Sequence, residues 1–121
     1  MVAQETGNIS SSIPTTSNEM VRGTTPTFSL YIADNEVDLT QALNVYATFK
    51  QQGTIITKTG TDLQIVTARQ VNIYMSQEDT LKFVPGKMEI QLNWTYPAGL
   101  RACSNIAYVM VAPNLIGSVL E

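Results

Sequence analysis

The residues that most directly suggest chemistry are three acidic side chains at alternate positions of one short stretch, Asp34, Glu36 and Asp38. Carboxylate oxygens at such a spacing in a loop are suitable ligands for Ca²⁺. The stretch has neither the glycine nor the distal glutamate of an EF-hand, and acidic loops between strands are usually solvated. The three carboxylates are therefore the only candidate metal ligands, and we expect no bound metal and no cofactor.

The sequence offers little for catalysis. It contains no histidine and a single cysteine, Cys103, so Ser-His-Asp and Cys-His machinery and Cys/His zinc sites are excluded. Arg101 is the only basic residue close to Cys103, so the thiolate has little to activate it. Glu78 and Asp79 lie where a short helix would begin, and no further carboxylate stands beside them for acid-base work. We predict that the protein has no catalytic residues and is not an enzyme.

The composition is that of one thinly charged domain. The chain has 121 residues, of which 44% are hydrophobic and 14% charged, and its net charge is -3. This length supports one hydrophobic core, and few scattered basic residues argue against nucleic-acid binding. No apolar run approaches the roughly 18 residues of a membrane span. The N-terminus also lacks the basic and apolar regions of a signal peptide. A surface of this kind suits a protein that packs against neighbours.

Residues 1–25 are predicted to be an extended N-terminal arm. They are rich in Ser, Thr, Asn, Gly and Pro and show no helical or strand period. Four spaced apolar residues, Ile9, Ile13, Met20 and Val21, are candidate anchors on a partner. Two alternatives stay open: a disordered tail without consequence, or an arm that becomes ordered along a neighbouring subunit.

Residues 26–121 are predicted to form the folded domain, because apolar and polar residues alternate through most of it. Strands are predicted at residues 28–32, 45–49, 54–59, 63–67, 71–75, 88–94 and 106–110. Ser76 and Asp79 form a capping-box-like start, so residues 76–82 are predicted to make one helical turn between two sheets, with Leu81 and Phe83 in the core. About seven short strands with regular turns indicate an all-β, two-sheet antiparallel sandwich.

Aromatic residues divide between the predicted core and the predicted surface. Trp94 belongs to the inward series of its strand and is expected in the core. Tyr31, Tyr46 and Tyr74 belong to outward series and are candidate partner-binding residues. The closing stretch "NLIGSVLE" either adds a short strand or lies on a neighbour.

Two short motifs carry a resemblance to a known family. Asp38-Leu39-Thr40 leads into an alternating strand, and Pro85-Gly86-Lys87 opens the strand "MEIQLNWT". Over residues 27 to about 112, this order resembles the immunoglobulin-like N-terminal domain of phage baseplate upper proteins and related small virion proteins of Firmicutes phages. The resemblance implies an Ig-like sandwich without enzymatic activity that docks onto other virion structural proteins.

The leading hypothesis is therefore a phage or prophage virion protein, made in the bacterial cytoplasm and placed in the tail or baseplate. Its arm and exposed sheet edges would bind neighbours, as a homo-oligomer or ring within the particle. The alternatives are a capsid decoration protein on the head surface and a carbohydrate- or receptor-binding adhesin module. The Asp38-Leu39-Thr40 corner is expected to be architectural, with Asp38 or Thr40 satisfying backbone groups at the start of the strand.

Overall fold

The computed structural model of the protein describes residues 6–7 and 19–121. Within these residues the chain forms ten strands: β1 Thr6–Gly7, β2 Glu19–Val21, β3 Thr27–Tyr31, β4 Asn44–Gln51, β5 Thr54–Lys58, β6 Leu63–Thr67, β7 Gln70–Tyr74, β8 Gly86–Thr95, β9 Arg101–Ser104 and β10 Ala107–Ala112. One α-helix, α1, spans Gln77–Leu81. Short 3₁₀ turns lie at Leu39–Gln41, Gly60–Asp62 and Pro97–Gly99. No helix in the described part of the chain is both long and apolar enough to cross a membrane.

The strands form two sheets. The smaller sheet has the order β3-β7-β6, and the larger sheet is centred on β8. β4 pairs along one side of β8, while β9 and β10 pair with successive parts of its other side and so act as one interrupted strand. Counted in this way, β3 to β10 make seven strands joined by antiparallel pairs, as the sequence predicted.

The strand order is that of an immunoglobulin-like sandwich. In immunoglobulin notation, β3, β7 and β6 correspond to strands B, E and D, and β5, β4, β8 and β9–β10 correspond to strands C′, C, F and G. The predicted all-β sandwich is thus confirmed by the pairing itself. One feature differs from the prediction: β1 and β2 join the large sheet through parallel pairs with β9 and β10.

The core lies between the two sheets and follows the alternation of the strands. In β8 the residues Met88, Ile90, Leu92 and Trp94 are fully buried, and the residues between them face outward. Phe28 and Phe49 meet across the sheets with their ring centroids 5.7 Å apart. The predicted core position of Trp94 is confirmed, since its side chain is 0% exposed.

Helix α1 carries the chain from the small sheet to the large one, as predicted. Ser76 Oγ accepts a hydrogen bond from the Asp79 backbone N–H, and the Asp79 carboxylate accepts one from the Ser76 N–H, which completes the predicted capping box. The prediction for Leu81 is corrected: Leu81 is half-buried, and the fully buried helix residue is Thr80. The Thr80 hydroxyl donates to Thr24 O and accepts from Gly23 N–H, so its burial leaves no polar atom unpaired.

The folded domain begins earlier than residue 26. Met20 in β2 is 1% exposed and packs in the core, and the Arg22 guanidinium donates hydrogen bonds to Phe83 O and Leu81 O at the end of α1. Residues 19–25 of the predicted arm are therefore part of the sandwich, which places its start at or before Glu19.

Candidate interaction surfaces

The acidic loop does not gather its carboxylates around a common point. Asp34 accepts a hydrogen bond from Glu36 N–H, and Asp38 accepts one from Thr40 N–H at 3.0 Å. Among residues 6–7 and 19–121, no three acidic or cysteine side chains stand close enough to share a metal ion. Asp34 and Asp38 instead satisfy backbone groups of the loop, and Asp38 caps the Leu39–Gln41 turn, as expected of an architectural corner.

The predicted arm anchors have different locations. Ile9 and Ile13 lie outside the described residues. Met20 is a core residue, so its prediction as an exposed anchor is corrected: its partner is the interior of its own sandwich. Val21 is half-buried and lies across from Ala112 of β10 on the outer face of the large sheet.

The three predicted tyrosines lie on two opposite faces. Tyr31 and Tyr74 are exposed on the small sheet but at its two ends, since Tyr31 pairs with Gln70 and Tyr74 with Thr27. Tyr46 is half-buried on the outer face of the large sheet. Because the core separates these faces, the three side chains cannot contact one ligand together.

The outer face of the large sheet holds shallow hollows. One hollow of about 360 Å³ is lined by Tyr46, Thr48, Thr57, Asn93, Thr95 and Arg101. Arg101 is fixed there because its guanidinium donates to Asn93 Oδ1 at 2.9 Å. Cys103 is half-buried beside Asn93 on the same face. The hollow offers hydroxyl, amide and guanidinium groups next to one aromatic ring.

An apolar stripe runs along β10 on this outer face. Ile106, just before the strand, is 42% exposed, and Tyr108 and Met110 are 48% and 51% exposed. The alternate residues Ala107 and Val109 are buried. Lys87 stacks over the Tyr108 ring, 4.1 Å from its centroid. The stripe therefore combines aromatic and aliphatic surface with a nearby cation.

The least expected surface is the segment that follows β10, residues 113–121, here called the exposed segment. It forms neither helix nor strand, and its large apolar side chains are exposed: Leu115, Ile116, Val119 and Leu120. Hydrogen bonds hold it in two places, one through a side chain of the segment and one through its backbone. The Asn114 amide donates to Arg22 O, and the Gln77 amide group exchanges two hydrogen bonds with the backbone of Leu120.

An open groove of about 450 Å³, with both apolar and polar lining residues, lies beside the start of β4. Its lining residues are all uncharged: Leu39, Ala42, Leu43, Asn44, Val45, Thr59, Gly60, Leu63 and Ile65. The groove exists because β5 pairs with β4 only from Ala47 onward, and the chain then turns away at Thr59 toward β6. Leu43 forms an exposed rim, 63% accessible to solvent.

The two edge strands beside this groove have features that oppose strand addition. On β5, Lys58 lies across from the buried Ala47 and so points inward, and β6 has a register shift between Ile65 and Thr67. Inward charges and bulges are common devices against edge-to-edge pairing. The predicted docking through exposed edges is thus less favoured on this flank than docking through apolar side chains.

An ion pair fixes α1 to β5. Lys58 Nζ lies 2.5 Å from Asp79 Oδ2, and both side chains are 13% exposed. Burial of the Asp79 carboxyl raises its pKa, but the hydrogen bonds from Lys58 and Ser76 outweigh this effect and hold the pKa of Asp79 below its usual value. The hydrogen bonds that lower the pKa of Asp79 are the same contacts that hold α1 against β5. The shifted pKa is therefore accounted for by structural contacts.

Solved structures that align with the chain include titin immunoglobulin domains and a filamin domain. No protein-family model matches the chain, and no curated protein matches its sequence. A tandem of titin immunoglobulin domains aligns with 92% of the chain at 14% identity and a TM-score of 0.44. The chain spans about half of that tandem, 51% of its length. The filamin domain of Lin-41 aligns with 78% of the chain, and 90% of that domain is covered, at 11% identity and a TM-score of 0.41.

Proposed function

We propose that this chain is a non-enzymatic structural protein of a phage or prophage particle, an Ig-like module that docks onto neighbouring virion subunits in the tail or baseplate. The observation that carries the proposal is that large apolar side chains remain exposed to solvent although the core between the sheets is fully packed. Leu115, Ile116, Val119 and Leu120 are exposed in one segment, and Tyr108 and Met110 are exposed on β10, although the core between the sheets is fully buried. Contiguous apolar patches on small domains commonly mark interaction sites.

The placement in a virion is supported by the resemblance of two motifs, and both have clear architectural roles. Asp38 caps the turn that leads into β4, and Pro85-Gly86-Lys87 opens β8, with Gly86 at a φ of 136° that favours glycine. The chain is also thinly charged, with 14% charged residues, which suits a protein whose surface is largely covered by neighbours.

Quantitative mass spectrometry of particles purified from the source tests this proposal. A copy number well below that of the major capsid protein agrees with a tail or baseplate component, because rotational symmetry limits the number of subunits there. A copy number comparable to the major capsid protein would favour the alternative of a head decoration protein. Absence from particles would overturn the virion role.

A carbohydrate- or receptor-binding adhesin module is the second candidate, and the hollow on the large sheet favours it. Tyr46 offers a ring for stacking on a sugar, and Asn93 and Arg101 offer hydrogen-bonding groups for sugar hydroxyls. Glycan-array binding by the purified chain, abolished by Arg101→Ala but not by Arg69→Ala, would support this role. The Arg69 variant is the matched control because Arg69 is also exposed but lies outside the hollow.

A further inference from the structure

The hollow on the outer face of the large sheet contains a cation without an anionic partner. Arg101 lies on β9, and its guanidinium reaches across to β8. There Asn93 Oδ1 accepts hydrogen bonds from Nε at 3.3 Å and from Nη2 at 2.9 Å. No acidic side chain of residues 6–7 and 19–121 forms an ion pair with Arg101. The positive charge is therefore held in position and available to an anion.

The contact with Asn93 occupies one edge of the guanidinium and leaves another edge free. A guanidinium has five N–H donors in a planar fork. Nε and Nη2 both donate to one oxygen of Asn93, so the remaining donors on Nη1 and Nη2 have no partner in the described part of the chain. Two parallel N–H groups at one edge match the two oxygens of a carboxylate. Asn93 thus orients Arg101 for bidentate binding of a carboxylate.

The other groups that line the hollow suit a sugar. Tyr46 lies directly across from Asn93 on β4, and its half-buried ring offers apolar surface in the same hollow. Three threonines add hydroxyl groups that both donate and accept hydrogen bonds: Thr48, Thr57 and Thr95. A pyranose ring presents an apolar face together with several hydroxyls, so it matches this combination of groups.

We propose that the hollow binds an acidic sugar, with the sugar carboxylate on Arg101 and the sugar ring against Tyr46. This inference deepens the second candidate function, the carbohydrate-binding module, and rests on it. The hollow of about 360 Å³ lies near the lower end of the range of about 300 to 1,000 Å³ that is typical of small-molecule sites. It therefore takes one sugar residue of a longer chain.

The local charge permits an anion, although the chain as a whole has a net charge of -3. The acidic residue of β8 is Glu89, four residues from Asn93, which corresponds to about 13 Å along a strand. Charges farther apart than about 8 Å are largely screened at physiological ionic strength. Lys50 also lies directly across from Glu89 on β4. Arg101 is therefore the charge that an anion in the hollow meets.

An acidic peptide fits the hollow less well than an acidic sugar. β8 crosses the floor of the hollow, and its backbone there is hydrogen-bonded to β4 on one side and to β9 on the other. Peptides that bind to sheets commonly add a strand through main-chain hydrogen bonds, which this floor does not offer. Recognition depends on side chains instead, which favours a ligand that carries several hydroxyls of its own.

Two methyl glycosides that differ only at the sixth carbon test the proposal. Methyl β-D-glucuronide has a carboxylate there, and methyl β-D-glucoside has a hydroxymethyl group. Amide NMR shifts of the purified full chain measure both affinities. We expect saturable shifts from the glucuronide at residues of β8 and β9. Its affinity should exceed that of the glucoside by about tenfold or more, because only the glucuronide forms the charge-assisted pair with Arg101.

Two variants separate the two parts of the site. Arg101→Gln should remove the preference, so that both glycosides bind with similar affinity. Tyr46→Leu, which keeps an apolar side chain but removes the ring, should weaken both glycosides by a similar factor. Arg69→Gln is the matched control, because Arg69 is also an exposed arginine but lies outside the hollow. Circular dichroism checks that each variant is folded.

Several outcomes would overturn the acidic-sugar inference. These are equal binding of the two glycosides by the wild type, no saturable shift with the glucuronide at tens of millimolar, and a preference that survives Arg101→Gln. Acetyl-glutamate amide that binds as tightly as the glucuronide would also overturn it, because the hollow would then recognise a carboxylate rather than a sugar. Binding of neutral glycans alone overturns this inference but retains the carbohydrate-binding module, whereas a glycan array without any binding removes both.

Discussion

In strand β8, apolar side chains stand at every second position, and Met88, Ile90, Leu92 and Trp94 are buried between the sheets. In the exposed segment, an equal number of large apolar side chains come as two adjacent pairs, and all are exposed. The difference lies in the backbone rather than in apolar content. Hydrogen-bonded neighbours on both sides hold β8 in a pleat that sends alternate residues inward, whereas residues 113–121 belong to no sheet.

The largest effect should come from truncating Trp94, the largest fully buried side chain of β8. We expect Trp94→Ala to lower the free energy of unfolding by about 3 to 5 kcal/mol, because it leaves a large cavity in the core. Urea denaturation measures this loss, with Tyr108→Ala, an exposed aromatic residue on the neighbouring strand, as the control. Similar small losses in both variants would show that β8 does not anchor the core.

A second variant tests whether β2 is packed in the core, like β8, or lies outside it, like the exposed segment. Met20→Ala should cost about 2 to 5 kcal/mol if Met20 is a core residue. Glu19→Ala, the exposed neighbour on the same short strand, should change the free energy of unfolding by less than about 0.5 kcal/mol. Equal effects of the two changes on thermal unfolding would place β2 outside the folded unit.

The ion pair between α1 and β5 predicts a pH dependence. The pKa of Asp79 is lower in the folded than in the unfolded state, so its stabilisation is present above the unfolded pKa and is lost as the pH falls through the folded pKa. The difference in melting temperature between the wild type and Asp79→Asn should be full near neutral pH and shrink below about pH 4. Glu78→Gln, next to it on the helix, is the control. A difference that is constant across this pH range would contradict the role of the charged pair.

The smallest effect on stability should come from the exposed segment itself. Leu115 is fully exposed, so Leu115→Ser should change the free energy of unfolding by no more than about 0.5 kcal/mol. Chemical denaturation measures this change, and a marked loss of stability would show that the segment is part of the core.

The sequence predicted those elements whose local pattern and tertiary environment agree. Alternation identified β8, and the Ser76–Asp79 pair identified the start of α1, because both signals arise from neighbouring residues. The pattern failed for β2, a strand of three residues, Glu19–Val21, that is too short to show a period. The pattern also predicted Leu81 rather than Thr80 as the core residue. Thr80 can be buried because its hydroxyl forms hydrogen bonds with the distant backbone of residues 23 and 24, which the local sequence does not reveal.

The candidate surfaces were harder to predict than the fold. Along β10 the residues that face inward and those that face outward are both apolar. The alternation of apolar and polar residues therefore could not show that Ala107 and Val109 face inward while Tyr108 and Met110 face outward. The groove depends on where β5 stops pairing with β4 at Ala47, which is a property of tertiary register. Surfaces built from several distant segments leave no local signal for pattern analysis.

The parallel pairing of β2 with β10 has a consequence for the order of events during synthesis. Met20 lies across from Val111, so two strands near opposite ends of the chain must meet before the large sheet is complete. Contacts of such wide sequence separation are slow to form, because a long loop has to close first. On the ribosome, the nascent chain has to wait for residues 110–112 to emerge before β2 can take its place. Folding of this domain should therefore finish only after translation has passed its last strand.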